Sequence, residues 1–203
     1  MLSILSRSAL PVSSRFIDHT LESAPAASRR AIEATTHHLG FLPSAVARLA
    51  TSPQLLDGFQ KLTGLFDATT LDPLAREVIV MTVAVRNACH LCVVVHTGKL
   101  RALGAPDELI DALREQRPER PERPERPLPD ERLEAVRQFT LAVLATAGSV
   151  DDETLDTFLA HGYTERNALE VVLGIGAYTL STLANRLTRA PIDPRFGADP
   201  ALA

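Results

Sequence analysis

Residues 77–96 read EVIVMTVAVRNACHLCVVVH and contain the only two cysteines of the chain, Cys89 and Cys92. His96 follows Cys92 by four residues, and Glu77 lies twelve residues before Cys89. Residues three and four apart share one face of a helix, so we expect Cys89, Cys92 and His96 to line one stripe. Two thiols, an imidazole and a carboxylate are the groups that thiol redox chemistry uses.

The step from Asn87 to Ala88 predicts a break between an apolar helix that carries Glu77 and a second helix that begins near Cys89. The cysteine pair would then lie at a helix N-terminus, where free N–H groups and the helix dipole stabilise a thiolate. A neighbouring imidazole can accept the thiol proton, and a carboxylate behind the imidazole would orient the ring. The pattern therefore predicts a thiolate at neutral pH, which is the form that attacks peroxides and disulfides.

The spacing Glu-(eleven residues)-Cys-X-X-Cys-X-X-X-His resembles the alkylhydroperoxidase D branch of the carboxymuconolactone decarboxylase family, with Glu77, Cys89, Cys92 and His96 at the expected positions. The resemblance runs from about Phe16 to Pro191. It also includes four shorter pieces: Gly40-Phe41-Leu42-Pro43, Ser52-Pro53, His161-Gly162-Tyr163 and Asn167-Ala168-Leu169-Glu170.

The resemblance implies a role for each residue of the motif. Cys92 would be the peroxidatic cysteine, Cys89 its resolving partner, and His96 with Glu77 the proton relay that deprotonates Cys92. The family member with the best-described relay has a second histidine immediately before the second cysteine. Here that position is Leu91 and the histidine is His90, so His90 receives no catalytic role.

The resemblance also implies the reaction and its partners. The expected activity is that of a thiol peroxidase that reduces alkyl hydroperoxides and is reset by an external dithiol, such as a thioredoxin-like or lipoyl protein. No metal, flavin or nucleotide cofactor is required, and the chain has no glycine-rich phosphate loop of either common type. A homo-oligomer, often a trimer or a hexamer, is implied as well.

Three other functions remain open from the sequence. A general disulfide oxidoreductase or redox sensor would use the same two cysteines. A decarboxylase of the same family would act on a lactone, although that chemistry needs no cysteine pair. The pair could also hold zinc with His96 and a further ligand such as His90, in a non-enzymatic module, but no second pair of zinc ligands appears.

Composition narrows the classes of partner and the location. The 203 residues are 45% hydrophobic, which is enough for one sizeable domain with a core. A net charge of −4 provides no basic excess, so we expect neither nucleic acid nor an anionic membrane as a partner. Two cysteines in one Cys-X-X-Cys motif do not form a secreted disulfide framework. Together with the lack of an apolar run of about 18 residues, this predicts a cytoplasmic protein.

The fold prediction is all-α, because almost no segment alternates with the period of a strand. Ser28 and Asp72 are predicted helix caps, and Gly174 with Gly176 predicts close helix packing within or between subunits. Glu170-Val-Val-Leu echoes Glu77-Val-Ile-Val, which suggests a weak internal repeat. Predicted helices cover residues 26–38, 42–50, 54–66, 73–86, 89–104, 107–115, 130–147, a stretch from about 151, and 165–186.

A single domain, residues 16–190, is predicted between two less regular ends. Residues 1–15 form a short N-terminal arm, and residues 191–203 form a tail that we expect to be irregular. Within the domain, residues 117–129 repeat Arg-Pro-Glu, and proline at every third position forbids a helix there. We interpret this segment as an extended surface loop between two halves of the domain.

Overall fold

The computed structural model describes residues 15–115 and 126–197, and this part of the chain is all-α, as predicted. Most of the predicted N-terminal arm, most of the Arg-Pro-Glu loop and the end of the predicted tail lie outside the described residues. The helices are α1 Ala26–Leu39, α2 Ser44–Leu49, α3 Pro53–Asp67, α4 Pro73–Arg86, α5 His90–Ala102, α6 Asp107–Glu115, α7 Glu131–Thr146, α8 Asp152–Ala160 and α9 Glu165–Thr188, followed by a 3-10 turn at Pro194–Phe196.

Helix α4 is the centre of the domain. It contacts α5, α6, α7 and α9, and residues 77–85 are all buried. A helix that is apolar on every side has to be enclosed in this way, because no face of it can be left to water. Its start is the predicted one: the Asp72 carboxylate accepts from Ala75 N–H at 2.9 Å, and Pro73 is the first helical residue.

The predicted break after Asn87 is confirmed, and its geometry is that of a helix stop. Ala88 has φ +50°, in the left-handed region. The N–H of Cys89 donates to Ala84 C=O at 2.9 Å, and the N–H of Ala88 donates to Val85 C=O at 3.0 Å. These two hydrogen bonds form the helix-ending pattern that usually has glycine at the left-handed position. The chain turns at once, and α5 begins at His90 with Cys89 as its N-cap.

Helix α9 lies across α3 and α4 and covers the site end of α4. A Thr164–Asn167 capping box begins it. Gly174 is the close-packing glycine, because a Cβ there would lie 2.6 Å from Phe66 Cε2, whereas Gly176 faces open space. Glu170 holds the loop before α4, accepting from Thr70 N–H at 3.0 Å and Thr70 Oγ1–H at 2.8 Å.

By length and composition α9 could cross a membrane, but half of its apolar window is buried against other helices of the domain. Leu56, Val171 and Ala177 are among the core residues at or near this contact. One side of α9 is therefore apolar because it packs in the helical core.

Two expectations about the ends of the domain are wrong. Ser28 is not a cap: Pro25 precedes α1 in that position, and the buried Ser28 hydroxyl donates to Ala50 C=O at 2.7 Å. The tail is not irregular throughout, because residues 194–196 form the 3-10 turn. Asp193 accepts from Ser44 N–H at 3.1 Å and Ser44 Oγ–H at 2.9 Å, so this part of the tail is fastened to the start of α2.

Candidate active site

The four predicted site residues meet where α4 and α5 pack together. The Cys89 and Cys92 sulfurs are 2.7 Å apart as free thiols, and His96 Nδ1 lies 2.6 Å from Glu77 Oε2. All four side chains are buried. The helix turn after Ala88 brings these groups together, because it folds α5 back against α4.

Glu77 is an ionised carboxylate within the core. Burial opposes its ionisation, but the hydrogen bond and charge of His96, with the charges of Lys99 and Arg76, outweigh that effect and hold the pKa of Glu77 below its usual value. Lys99 is half exposed and its Nζ lies 3.9 Å from Glu77 Oε1. Because an ionised carboxylate only accepts, Nδ1 of His96 carries the donated hydrogen, and Nε2 is left for other chemistry.

The two thiols titrate as a pair. The hydrogen bond from Cys92 lowers the pKa of Cys89 against the effect of burial, with help from the Cys92 N–H and from Arg186. The same hydrogen bond, burial and the neighbouring charge raise the pKa of Cys92 well above its usual range, while Asn185 and Ser181 act to lower it. The pair therefore releases one proton readily and holds the second strongly.

The predicted position at a helix N-terminus is confirmed. Cys89 is the N-cap of α5 without a side-chain cap bond, and Cys92 is the third helical residue. The first-turn N–H groups of a helix have no intrahelical acceptor and carry partial positive charge. A negative charge on either sulfur is stabilised by this end of α5.

The hydrogen bonds of the site form two separate groups. Among the described residues, neither sulfur is hydrogen-bonded to His96: one group joins Glu77 to His96, and the other joins Cys89, Cys92 and Asn185. A proton that moves between His96 and a sulfur needs an intervening water molecule or an oxygen of the substrate.

Helix α9 contributes three site residues that the sequence analysis missed. The Tyr178 ring meets the His96 ring edge-on, with 5.2 Å between centroids. Asn185 Nδ2 lies 3.5 Å from Cys92 Sγ and 3.4 Å from Ser181 Oγ. A signal was available: Tyr178, Ser181 and Asn185 are polar residues spaced by three and four on a largely apolar helix, which places them on one face.

His90 and His161 lie outside this hydrogen-bonded arrangement, and the described part of the chain forms no metal centre. His90 is exposed. His161 Nδ1 lies 2.8 Å from Thr157 C=O on α8, away from the cysteines. Within residues 15–115 and 126–197, no group of three or more His, Cys, Asp or Glu side chains is arranged to hold a metal ion.

Comparison with known proteins connects this site to one family. Residues 53–118 match the sequence profile of the carboxymuconolactone decarboxylase family, and this segment includes all four motif residues. No curated protein matches the chain significantly in sequence.

Several solved structures share the fold. A peroxidase-related protein with an alkylhydroperoxidase AhpD core, from Ralstonia eutropha JMP134, is 23% identical with a TM-score of 0.75, covering 93% of this chain and 96% of its own. A peroxidase-related protein from Silicibacter sp. TM1040 is 17% identical with a TM-score of 0.73, covering 95% and 98%. The debrominase Bmp8, in complex with 2,3,4-tribromopyrrole, is 17% identical with a TM-score of 0.69, covering 91% and 95%.

The profile match and the fold agree with the resemblance that the cysteine motif indicated. The profile covers the segment from α3 to the end of α6, and the structural likeness extends over nearly the whole chain. Residues 53–118 thus resemble the carboxymuconolactone decarboxylase family in sequence, and the chain shares its fold with the solved alkylhydroperoxidase AhpD core structure.

Proposed function

We propose that this protein is a thiol-dependent peroxidase that reduces alkyl hydroperoxides. The observation that carries the proposal is the 2.7 Å approach of the Cys89 and Cys92 sulfurs at a helix N-terminus, beside the buried Glu77–His96 pair. The two sulfurs can supply two electrons together, and the imidazole can carry a proton.

In the first step the Cys92 thiolate attacks the terminal oxygen of the hydroperoxide. The S–O bond forms as the O–O bond breaks, Cys92 becomes a sulfenic acid, and the alkoxide leaves as the alcohol after gaining a proton. The thiolate forms when His96 takes the Cys92 proton through the bridging oxygen that the separation of the two hydrogen-bonded groups requires, and ionised Glu77 stabilises the resulting positive charge on the ring. His96 then gives this proton to the alkoxide.

In the second step the Cys89 thiolate attacks the Cys92 sulfur. The S–S bond forms, and the sulfenic oxygen leaves as water after gaining a proton. An external dithiol, thioredoxin-like or lipoyl, then returns both electrons through a mixed disulfide. Such a cycle depends on a reducing compartment, which fits the cytoplasm.

The test is a thiol count on reduced, metal-free protein before and after one equivalent of cumene hydroperoxide, with the rate recorded. We expect loss of both thiols and formation of one intramolecular disulfide. Cys92→Ser should abolish peroxide consumption, and Cys89→Ser should leave one sulfenic acid that a dimedone probe traps. Reaction by Cys92→Ser but not by Cys89→Ser would reverse the two roles, and thiols that survive the peroxide would refute the peroxidase function.

Disulfide exchange is the second candidate, and one observation favours it. Because His96 makes no hydrogen bond to either sulfur among the described residues, only the thiol pair is assembled, and disulfide exchange needs nothing more. Rates with cumene hydroperoxide and with a small disulfide, measured side by side, separate the two functions. Since one structural neighbour is a debrominase, 2,3,4-tribromopyrrole is a suitable third substrate in that comparison.

A further inference from the structure

One side chain of α9 touches the reacting sulfur and has an unused polar atom. Asn185 is 7% exposed, and its Nδ2 lies 3.5 Å from Cys92 Sγ. Its Oδ1 is buried and has no hydrogen-bond partner among the described residues. An amide oxygen rarely stays unpaired in a protein core without a functional reason. This unpaired oxygen is two bonds from Nδ2, the atom that contacts the Cys92 sulfur.

Once the cysteine pair has lost one of its two protons, the surroundings of the two sulfurs determine which of them is negative. Glu77 on α4 and His96 on α5 are bonded to each other. On α9, Arg186 is exposed and donates to Asn87 C=O, while Tyr178 packs on His96. Two buried groups of α9 act on Cys92: the Asn185 amide, whose Nδ2 lies 3.5 Å from the sulfur, and the Ser181 hydroxyl, which lies 3.4 Å from that same Nδ2.

We infer that Asn185 directs negative charge toward Cys92, by donating from Nδ2 to its sulfur, and so acts against the contacts that favour a Cys89 thiolate. Its Oδ1 then accepts the hydrogen of the Cys92 sulfenic acid after oxidation. This second role rests on the proposed peroxidase function. The S–O–H group that Cys92 gains from the peroxide would donate its hydrogen to Asn185 Oδ1, which has no hydrogen-bond partner among the described residues of the reduced enzyme. No further reactant takes part.

The charge-directing role is testable without peroxide. Reduced full-length protein is treated with limiting iodoacetamide, and peptide mass spectrometry gives the ratio of label on Cys92 to label on Cys89. A hydrogen bond to a charged group typically changes such an equilibrium by about tenfold or more. We therefore expect Asn185→Leu to lower the Cys92-to-Cys89 ratio by about tenfold.

Two further variants complete the design. Asn185→Asp keeps the shape of the side chain and replaces the donor by an acceptor, so it should lower the Cys92-to-Cys89 label ratio at least as much. This variant keeps the test available if Asn185→Leu folds poorly. Thr188→Val alters a buried hydroxyl one turn further along α9 that donates to Ala184 C=O, and it should leave the ratio unchanged. An unchanged ratio in folded Asn185→Asp would overturn the inference.

The acceptor role has its own measurement. In a Cys89→Ser background, dimedone trapping after cumene hydroperoxide gives the lifetime of the Cys92 sulfenic acid, which Asn185→Leu should shorten severalfold. A lifetime that does not change refutes the acceptor role. If the Cys89→Ser protein that retains Asn185 forms no sulfenic acid, both the peroxidase function and the acceptor role are refuted. The alkylation ratio still tests the charge-directing role, because that measurement uses no peroxide.

A second inference concerns the opposite face of α9, where an apolar stripe is exposed. This surface, which we call the α9 stripe, consists of Leu169, Val172, Gly176, Leu180, Leu183 and Leu187. Leu169 and Leu187 are 74% and 72% exposed, and Leu183 is 54% exposed. These positions follow the helical period over about five turns, with no charged side chain among them. An apolar face of this length usually marks an interface.

The α9 stripe is symmetric about Gly176. Leu169 and Leu183 lie seven residues on either side of it, and Val172 and Leu180 lie four on either side. Two antiparallel copies of α9 that cross at Gly176 would set Leu169 against Leu183 and Val172 against Leu180, as a two-fold interface requires. The glycine faces open space, so the helices can approach closely there. At each end, Glu165 of one copy would lie opposite Leu187 of the other, with Arg186 as the neighbouring residue.

We propose that a second copy of this chain docks on the α9 stripe in a two-fold, antiparallel arrangement. The test is the mass in solution by light scattering, with about 44 kDa expected for the dimer as twice the chain mass of 22.0 kDa. Leu183→Lys should halve the mass, and Leu65→Lys, at a leucine 61% exposed on α3, should leave it unchanged. An even-numbered larger assembly that halves with Leu183→Lys also supports the proposal. A monomer, a trimer or insensitivity to Leu183→Lys overturns it.

Discussion

Replacing Gly174 by alanine tests the closest packing contact in the domain. A Cβ at this position would lie 2.6 Å from Phe66 Cε2, 2.7 Å from Phe66 Cζ and 3.1 Å from Ile79 Cγ2. Phe66 is 1% exposed and cannot swing into solvent. Its ring also packs edge-on against Tyr178, with centroids 5.9 Å apart, and Tyr178 packs on His96 in turn. The added methyl group would therefore displace Phe66, which contacts Tyr178 and through it His96 in the site.

The expected magnitude is the difference between two opposing effects. Alanine is favoured over glycine within a helix by about 1 kcal/mol. Overpacking a core by one carbon usually destabilises a protein by about 1–3 kcal/mol, and the contacts at 2.6–2.7 Å place Gly174 toward the upper end of that range. We expect Gly174→Ala to lower the free energy of unfolding by about 1–2 kcal/mol, taking both effects together.

Gly64 in α3 is the matched control. It lies inside a helix, and nothing stands within 4 Å of a Cβ built there, so Gly64→Ala should stabilise the protein by about 1 kcal/mol. Urea unfolding at one fixed protein concentration measures both variants, because association would otherwise shift the transition. The two substitutions are chemically identical and should move the midpoint in opposite directions.

A consequence for the site follows from the same contact. If Phe66 moves, Tyr178 and His96 should move with it, so Gly174→Ala should also slow peroxide consumption, whereas Gly64→Ala should leave the rate unchanged. Equal stabilisation by the two substitutions would show that the Phe66 ring gives way freely and would refute the packing argument.

Three further predictions concern single contacts. The pKa of Glu77 is lowered in the folded state, so its ionised form stabilises the fold above the unfolded-state pKa, and this contribution is lost as the pH falls through the folded-state pKa. Glu77→Gln should therefore lower the free energy of unfolding by about 2 kcal/mol at neutral pH and remove that part of the acid sensitivity. Ala88→Gly should raise stability by about 1 kcal/mol, because it relieves a left-handed alanine with φ +50°. Ser28→Ala should lower stability by about 1–2 kcal/mol, because it leaves the Ala50 carbonyl without its donor.

Each of these predictions has a control or a contrary result. For Glu77, the stability of the unsubstituted protein and of Glu77→Gln is measured by urea unfolding at several pH values. The argument is wrong if both proteins lose the same stability as the pH falls. Ala34→Gly, at an exposed helical position in α1, should lose about 1 kcal/mol where Ala88→Gly gains it. Ser149→Ala, at an exposed turn, should have almost no effect on the unfolding midpoint, and a similar loss from both serine variants would contradict the role given to the buried hydrogen bond.

Much of the local structure could be predicted because its causes are local. Asp72 and Pro73 begin α4 through contacts within one turn. The Cys89–Cys92 spacing fits the first turn of a helix, and Glu77 in an apolar run needs a partner once it is buried, which pointed to His96. These features depend on neighbours in sequence or on the small set of groups that can compensate a buried charge.

The rest could not be predicted because it depends on contacts between distant segments. Asn185 lies 93 residues after Cys92, and no local pattern states that α9 crosses the end of α4. The same limit applies to Gly174 and Gly176, since the sequence cannot indicate which glycine faces Phe66. Ser28 has the composition of a cap but bonds across 22 residues.

Cys89 belongs to two helices at once: its N–H closes the last turn of α4, and its C=O accepts from Val93 N–H to open the first turn of α5. A movement of the backbone at Cys89 would therefore alter the end of α4 and the start of α5 together. The residue that we propose forms the disulfide is thus also the residue that joins these two helices.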